Sequence, residues 1–146
     1  MKRAAGLYDQ DVYAWAMKNA ELIRQGHWAD IDLEHVAKEL EGMGRGEWYE
    51  LVDRLAVLLA HLLKWRFQPE RRGNSWRLTI KEQRRRMRLR LKKSPSLRSE
   101  LDETFAEAYE AAILRAAREM KVTDSMFPPL CPFTLEQALD EGYWPD

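Results

Sequence analysis

Within ten residues the chain sets out Asp32, Glu34, His35, Glu39 and Glu41. On a helix His35 and Glu39 stand one turn apart on the same side, a spacing that can offer an imidazole and a carboxylate to one metal ion. His61 could supply a third ligand. Helical carboxylate metal sites, however, draw Glu and Glu-x-x-His contributions from several facing helices, and here only Asp32-x-x-His35 has even that spacing. We therefore read His35 and Glu39 as a side-chain pair on a solvated face, and expect neither a metal nor a cofactor.

His61 sits among Leu58, Leu59, Leu62 and Leu63, so its ring is expected to be partly buried, and a buried imidazole needs a partner. Glu39 or Glu41 from a preceding helix, or Gln83 from a later one, could accept its ring proton, and Lys64 lies one turn beyond. Glu39, Glu41, His61, Lys64 and Gln83 thus form a candidate polar site. Either a core histidine that fixes helix register or a base poised for chemistry satisfies this pattern. No catalytic residue is assigned. No serine or cysteine has a matched histidine and acid, and Gly42-x-Gly44-x-Gly46 lacks the strand and the lysine of a phosphate loop.

A second chemistry lies in the charge pattern. The formal net charge is zero, yet residues 71–98 hold twelve Lys and Arg against the single acid Glu82. The flanking stretches carry nine bases with twelve acids, and three bases with eleven acids, so the charge runs −3, +11, −8. One stripe of cations, Arg77, Lys81, Arg84, Arg88 and Lys92, matches a stripe of acids in the next segment, Glu100, Glu103, Glu107 and Glu110. A short connection makes the two helices antiparallel neighbours paired through Arg84 or Arg88 with Glu103 or Glu107. Arg85, Arg86, Arg90 and Lys93 point elsewhere and form a candidate anion-binding set.

The elements that must position these groups are helical. Asp9 can cap a first helix carrying Val12, Trp15, Ala16, Ala20 and Ile23 inward until Gly26 stops it. Asp32 can cap a second, with Leu33, Val36, Ala37 and Leu40 inward, and the glycines at 42, 44 and 46 mark a turn after it. From Glu47 the run Trp48, Leu51, Val52, Leu55, Leu58, Leu59 and Leu62 is apolar enough for the centre of a bundle. Ser75 can open the Arg-rich fourth helix and Pro95 the acidic fifth. Phe127 to Phe133 is too proline-rich for a helix and too apolar for a free tail, so it should pack on the bundle. Thr134 and Gln137 make a capping box for a short last helix. The expected fold is a single all-α domain over 1–146, five main helices plus that short one.

Cys131 is alone, which excludes an internal disulfide and fits a reducing compartment. The first ten residues lack the apolar run of a signal peptide, and the stretch Leu55 to Leu63 is broken by His61, so no membrane span is expected. The six tryptophans fit core positions, although Trp65 and Trp76 beside Arg71 to Arg77 could serve base stacking.

Tyr8-Asp9, Asp11, Trp15, Glu39-Leu40-Glu41, Met43-Gly44-Arg45, His61-Leu62-Leu63-Lys64-Trp65, Gln68-Pro69, Ser75-Trp76, Thr79-Ile80, Gln83-Arg84, Pro95-Ser96-Leu97, Phe127-Pro128, Cys131-Pro132 and Trp144-Pro145 follow one another in order. In these the chain resembles the bacterial family catalogued as domain of unknown function twenty-nine. The resemblance implies an all-helical cytoplasmic bacterial protein and carries no activity or catalytic residue. Val12, Lys38, Gly46 and Arg66 depart from the pattern, which has Phe, an acid, Ser and Gln there. Three functions stay open: a non-enzymatic binding or adaptor module with a protein partner, a nucleic-acid-binding regulator using Arg71 to Arg98, and a small enzyme or metal protein centred on Glu39 and His61.

Overall fold

The computed structural model describes residues 4–146, and their regular structure is entirely helical. The helices are α1 (Ala4–Gln10), α2 (Val12–Gln25), α3 (Leu33–Phe67), α4 (Asn74–Lys93), α5 (Leu97–Met120) and α6 (Leu135–Leu139). Single 3-10 turns lie at Trp28–Asp30, Pro69–Arg71 and Asp124–Met126. Among the described residues no strand occurs, and no helix is long and apolar enough to cross a membrane. The chain divides into two compact units, one ending at Glu47 and one beginning at Trp48, so the boundary falls inside α3.

In the first unit α2 is capped by Asp11, whose carboxylate accepts from the Ala14 amide at 2.9 Å. Asp9 lies inside α1 rather than in the expected capping position. Gly26 closes α2 in the left-handed region, φ 73°, which frees the His27 amide to reach the Leu22 carbonyl at 3.0 Å. The buried face of α2 is Trp15, Asn19 and Leu22, while Val12 and Ile23 of the expected inward stripe are exposed. Leu33 and Leu40 are exposed as well. A polar residue, Asn19, occupies the inward position because its amide is bonded twice, as described below, and so costs little to bury.

The expected turn at the glycines is absent. Helix α3 runs unbroken for 35 residues through Gly42, Gly44 and Gly46. Three glycines weaken a helix by roughly 2 to 3 kcal/mol relative to alanine. A break would cost more, because it strands up to four carbonyls and four amides, and residues 42–47 contain no Ser, Thr, Asp or Asn to cap a new helix. The ion pair Glu41–Arg45, 3.6 Å apart at (i, i+4), adds a small continuous link. The two helices expected at 32–41 and 47–67 are therefore one.

The second unit is built around the C-terminal part of α3. Leu51, Leu55, Leu58, Leu59, Ala60, Leu62 and Leu63 have no exposed surface, so most of this stretch is covered, and the side carrying Asp53, Arg54, Val57 and His61 reaches solvent. Helix α4 covers it with Ile80, Gln83, Arg84 and Met87, and α5 with Leu101, Ala108, Tyr109, Ala112 and Ala116. The C-terminal segment closes the core with Phe127, Phe133, Leu135 and Ala138. Phe127 meets Phe67 edge to face at 5.5 Å, and the buried Tyr109 hydroxyl donates to the Pro128 carbonyl at 2.6 Å. The segment after Met120 thus packs as its composition predicts. The capping box of α6 is formed, with the Thr134 hydroxyl accepting from the Gln137 amide and the Gln137 side chain accepting from the Thr134 amide, both at 3.0 Å.

A Cβ placed on Gly44 meets nothing within 4 Å. Gly44→Ala should therefore raise the stability of the chain by roughly 0.5 to 1 kcal/mol, read as an upward shift in the denaturation midpoint. A turn with positive φ at this position would give the opposite sign.

Candidate functional site

The polar side chains of the second unit converge at the C-terminal end of α3. Lys64 falls in the last turn of α3, Gln68 just after the helix, Arg71 in the following 3-10 turn, Trp76 in the first turn of α4, and Glu119 and Met120 at the end of α5. Together these six line an open cleft of about 300 Å³. Lys64 is only 6 % exposed. Its ammonium is ion-paired with Glu119 and lies 5.8 Å from the centre of the Trp76 ring. Burial, aided by Arg115, pushes the Lys64 pKa down from its ordinary value. The Gln68 side-chain oxygen is buried with no hydrogen-bond partner. The cleft thus offers two cations, a carboxylate, an unmet amide acceptor and an aromatic face.

His61 lies one turn before Lys64. Its Nδ1 bonds the Val57 carbonyl of its own helix at 2.9 Å, which makes Nδ1 the protonated nitrogen. The expected side-chain partner for its ring is thus replaced by a backbone one. Burial holds the His61 pKa below its ordinary value; the Val57 bond opposes this, and Lys64 and Arg115 reinforce it. Gln83 is buried, and its side-chain oxygen has no hydrogen-bond partner.

Glu39 and Glu41 belong to the first unit, where Glu41 pairs with Arg45 and Glu39 accepts from the Tyr8 hydroxyl. Their contribution from a helix preceding that of His61 required a chain reversal at the glycines, and α3 makes none. The solvated His35–Glu39 pair is also replaced. His35 Nδ1 bonds the Asp32 carboxylate at 2.7 Å, and its ring stacks on Tyr8 with centroids 4.0 Å apart. The same Asp32 oxygen accepts from the Trp15 indole at 2.9 Å. Asn19 accepts from the Asp32 amide at 2.8 Å and donates to the Trp15 carbonyl at 2.9 Å. Burial raises the Asp32 pKa, but the bonds from Trp15 and His35 outweigh it and hold the carboxyl below its ordinary range. This network staples α1, α2 and the start of α3. Among the described residues, no three metal-ligating side chains gather.

The basic helix finds acids other than those expected. Arg88 pairs with Glu141, and Arg84 donates to the carbonyls of Ala138 at 2.8 Å and Gln137 at 3.4 Å. Glu103 and Glu107 are left exposed. The reason is the face that α4 buries: position 84 turns toward α6, so the C-terminal segment becomes the partner. Of the candidate anion-binding set, Arg85 and Arg86 pair with Glu82, 3.4 and 2.9 Å away, and Arg90 with Glu50 at 3.6 Å. Lys93 is exposed at the end of α4.

Sequence reasoning missed Gln68 and Glu119 as cleft residues and Asn19 as a network hub. Glu119 had a signal: an acid in the last turn of a helix opposes the macrodipole and calls for a nearby cation. Asn19 stands four residues after Trp15 and three before Leu22, on the face those two bury.

The model of the family described as "Domain of unknown function DUF29" matches residues 7–144. No curated protein and no solved structure matches the chain.

One titration and one substitution test this geometry. His61 is depressed, so its contribution is complete above the unfolded pKa of about 6.5 and is lost as pH falls through that value toward the folded pKa. Denaturation midpoints measured from pH 7.5 down to 5 should fall, and His61→Gln should flatten that slope. Asp32→Ala should destabilise the first unit by roughly 1 to 3 kcal/mol by orphaning the Trp15 indole, seen as selective loss of amide-exchange protection in α2.

Proposed function

The chain belongs to the DUF29 family, whose description assigns no activity, and we propose from its own geometry that it is a non-enzymatic binding module of the bacterial cytoplasm. The cleft at Lys64 takes a small polar molecule that carries both an anionic group and an N–H donor. One observation carries this reading: a lysine only 6 % exposed lines an open cleft beside an amide oxygen that has no hydrogen-bond partner. Lys64 and Arg71 suit the anion, Gln68 and Glu119 suit the donor, and Trp76 offers a flat apolar face. The cytoplasmic setting is supported by the lone Cys131, and the bacterial one by the family resemblance.

A nucleic-acid role has a separate observation in its favour. Lys81, Lys92 and Lys93 on α4 are exposed without an ion pair among the described residues. Binding through them would weaken with salt at a log-log slope near −0.9 per neutralised phosphate of duplex DNA. The local pairing of Arg85, Arg86, Arg88 and Arg90 reduces the cations available for it.

Lys64→Met separates binding from folding. Removing one partner of a buried ion pair is costly when it strands the other charge in the interior, but Glu119, 40 % exposed, is free to turn to water, and the methionine fills the space of the buried lysine stem. The melting temperature should therefore hold or rise, while affinity for the best hit in a calorimetric panel of α-amino acids and nucleoside monophosphates drops at least tenfold. Equal affinity of the variant would remove the cleft as the site.

A further inference from the structure

A second cleft, of about 480 Å³, lies where the C-terminal half of α4 meets the first turn of α5 and the end of α6. Its cationic lining is Arg84, Arg88 and Arg98, and its apolar wall is Leu91 and Leu139. Arg84 is 2 % exposed. Its Nε and Nη2 are committed to the Ala138 and Gln137 carbonyls, its guanidinium lies 5.4 Å from the centre of the Trp144 ring, and its Nη1 is buried with no hydrogen-bond partner. A guanidinium does not shed its proton inside a protein, so this is a buried cation with one edge unfilled and only carbonyls bound to it. Such an edge matches the two oxygens of a carboxylate.

The neighbours sharpen the class of ligand. Arg88 and Arg98 are held by Glu141 and Glu136, and those acids are themselves 64 % and 75 % exposed. Exposed pairs of this kind are worth only ~0 to 1 kcal/mol, so they exchange readily for an incoming anion. Asp140 and Glu141 also line the cleft and oppose negative charge. Three arginines face the two lining acids and Glu136, which holds Arg98, so an incoming anion must displace one exposed acid, and the cleft accommodates one negative charge rather than two. We propose that this cleft binds an amphipathic monocarboxylate, with its carboxylate on the open edge of Arg84 beside Arg88 and Arg98, and its apolar body along Leu91 and Leu139. The site is separate from the Lys64 cleft and stands whether or not that one binds.

Octanoate titrated into the full chain and followed by two-dimensional NMR tests the assignment. Saturable shifts are expected at the Arg84 Nε–H and at the Leu91 and Leu139 methyl groups, with octanol and inorganic phosphate giving none there. Arg98→Gln, a change at an exposed side chain, should weaken octanoate roughly tenfold, the size of one charge-assisted hydrogen bond, and leave the melting temperature unchanged. Arg84→Met should abolish the shifts if the variant folds. Three results overturn the site: no saturable response up to about 10 mM, equal binding of octanol, or octanoate shifts elsewhere that Arg98→Gln does not move. The first of these means that water alone fills the edge of Arg84.

Discussion

The second unit depends on one constraint, which is that α3 between Leu51 and Leu63 buries more than half of its circumference through Leu51, Leu55, Ala56, Leu58, Leu59, Ala60, Leu62 and Leu63, and leaves the side of Asp53, Arg54, Val57 and His61 to reach solvent. A helix with a single narrow apolar stripe needs one neighbour, whereas this one must be enclosed over most of its surface. Enclosure explains why α4 and α5 alone are insufficient and why the proline-rich stretch after Met120 returns to the core through Phe127 and Phe133. Each fully buried leucine removed here would cost about 2 to 5 kcal/mol, transfer and cavity together. The same packing brings Lys64 inside, since it extends that stretch by one residue, and so creates the cleft in which its charge is met by Glu119.

Charge in this unit is organised by burial rather than by stripe matching. Ile80, Arg84 and Met87 share the inward face of α4, and an arginine there must satisfy its N–H groups from whatever lies opposite. That neighbour is the last turn of α6, whose free carbonyls and negative dipole end suit a cation. Arg72 makes the same kind of contact, donating to the Trp65 carbonyl at 2.6 Å and the Pro145 carbonyl at 3.3 Å. The C-terminal segment is thus fastened through backbone carbonyls as well as through its aromatic rings.

The first unit solves its stability differently. Among its described residues the buried hydrophobics are Trp15 and Leu22, too few for a core of its own size. Directional bonds take over much of the work: Asp32 joins the Trp15 indole, the His35 ring and the α3 start, and Tyr8 stacks on His35 while bonded to Glu39. Networks of this kind are worth more when complete than their parts suggest.

Periodicity determined that the chain is all-helical and that 48–67 lies at a centre, a capping pattern that Thr134 and Gln137 start a last short helix, and composition that the segment around Phe127 packs inward. These are local or compositional properties, and each follows from apolar spacing and side-chain reach within a few residues. The membership of the family was legible too, in the order of its dipeptides. Three things were decided only by tertiary structure. The glycines at 42–46 do not end α3, because no cap was there to start another helix. The partners of Arg84, Arg88, His35 and Glu39 were set by which face of each helix is buried, a choice made by packing across the chain. The two clefts exist because residues 50 or more positions apart, such as Lys64 with Glu119 and Arg84 with Ala138, are brought together by the core, and no spacing in the sequence encodes that meeting.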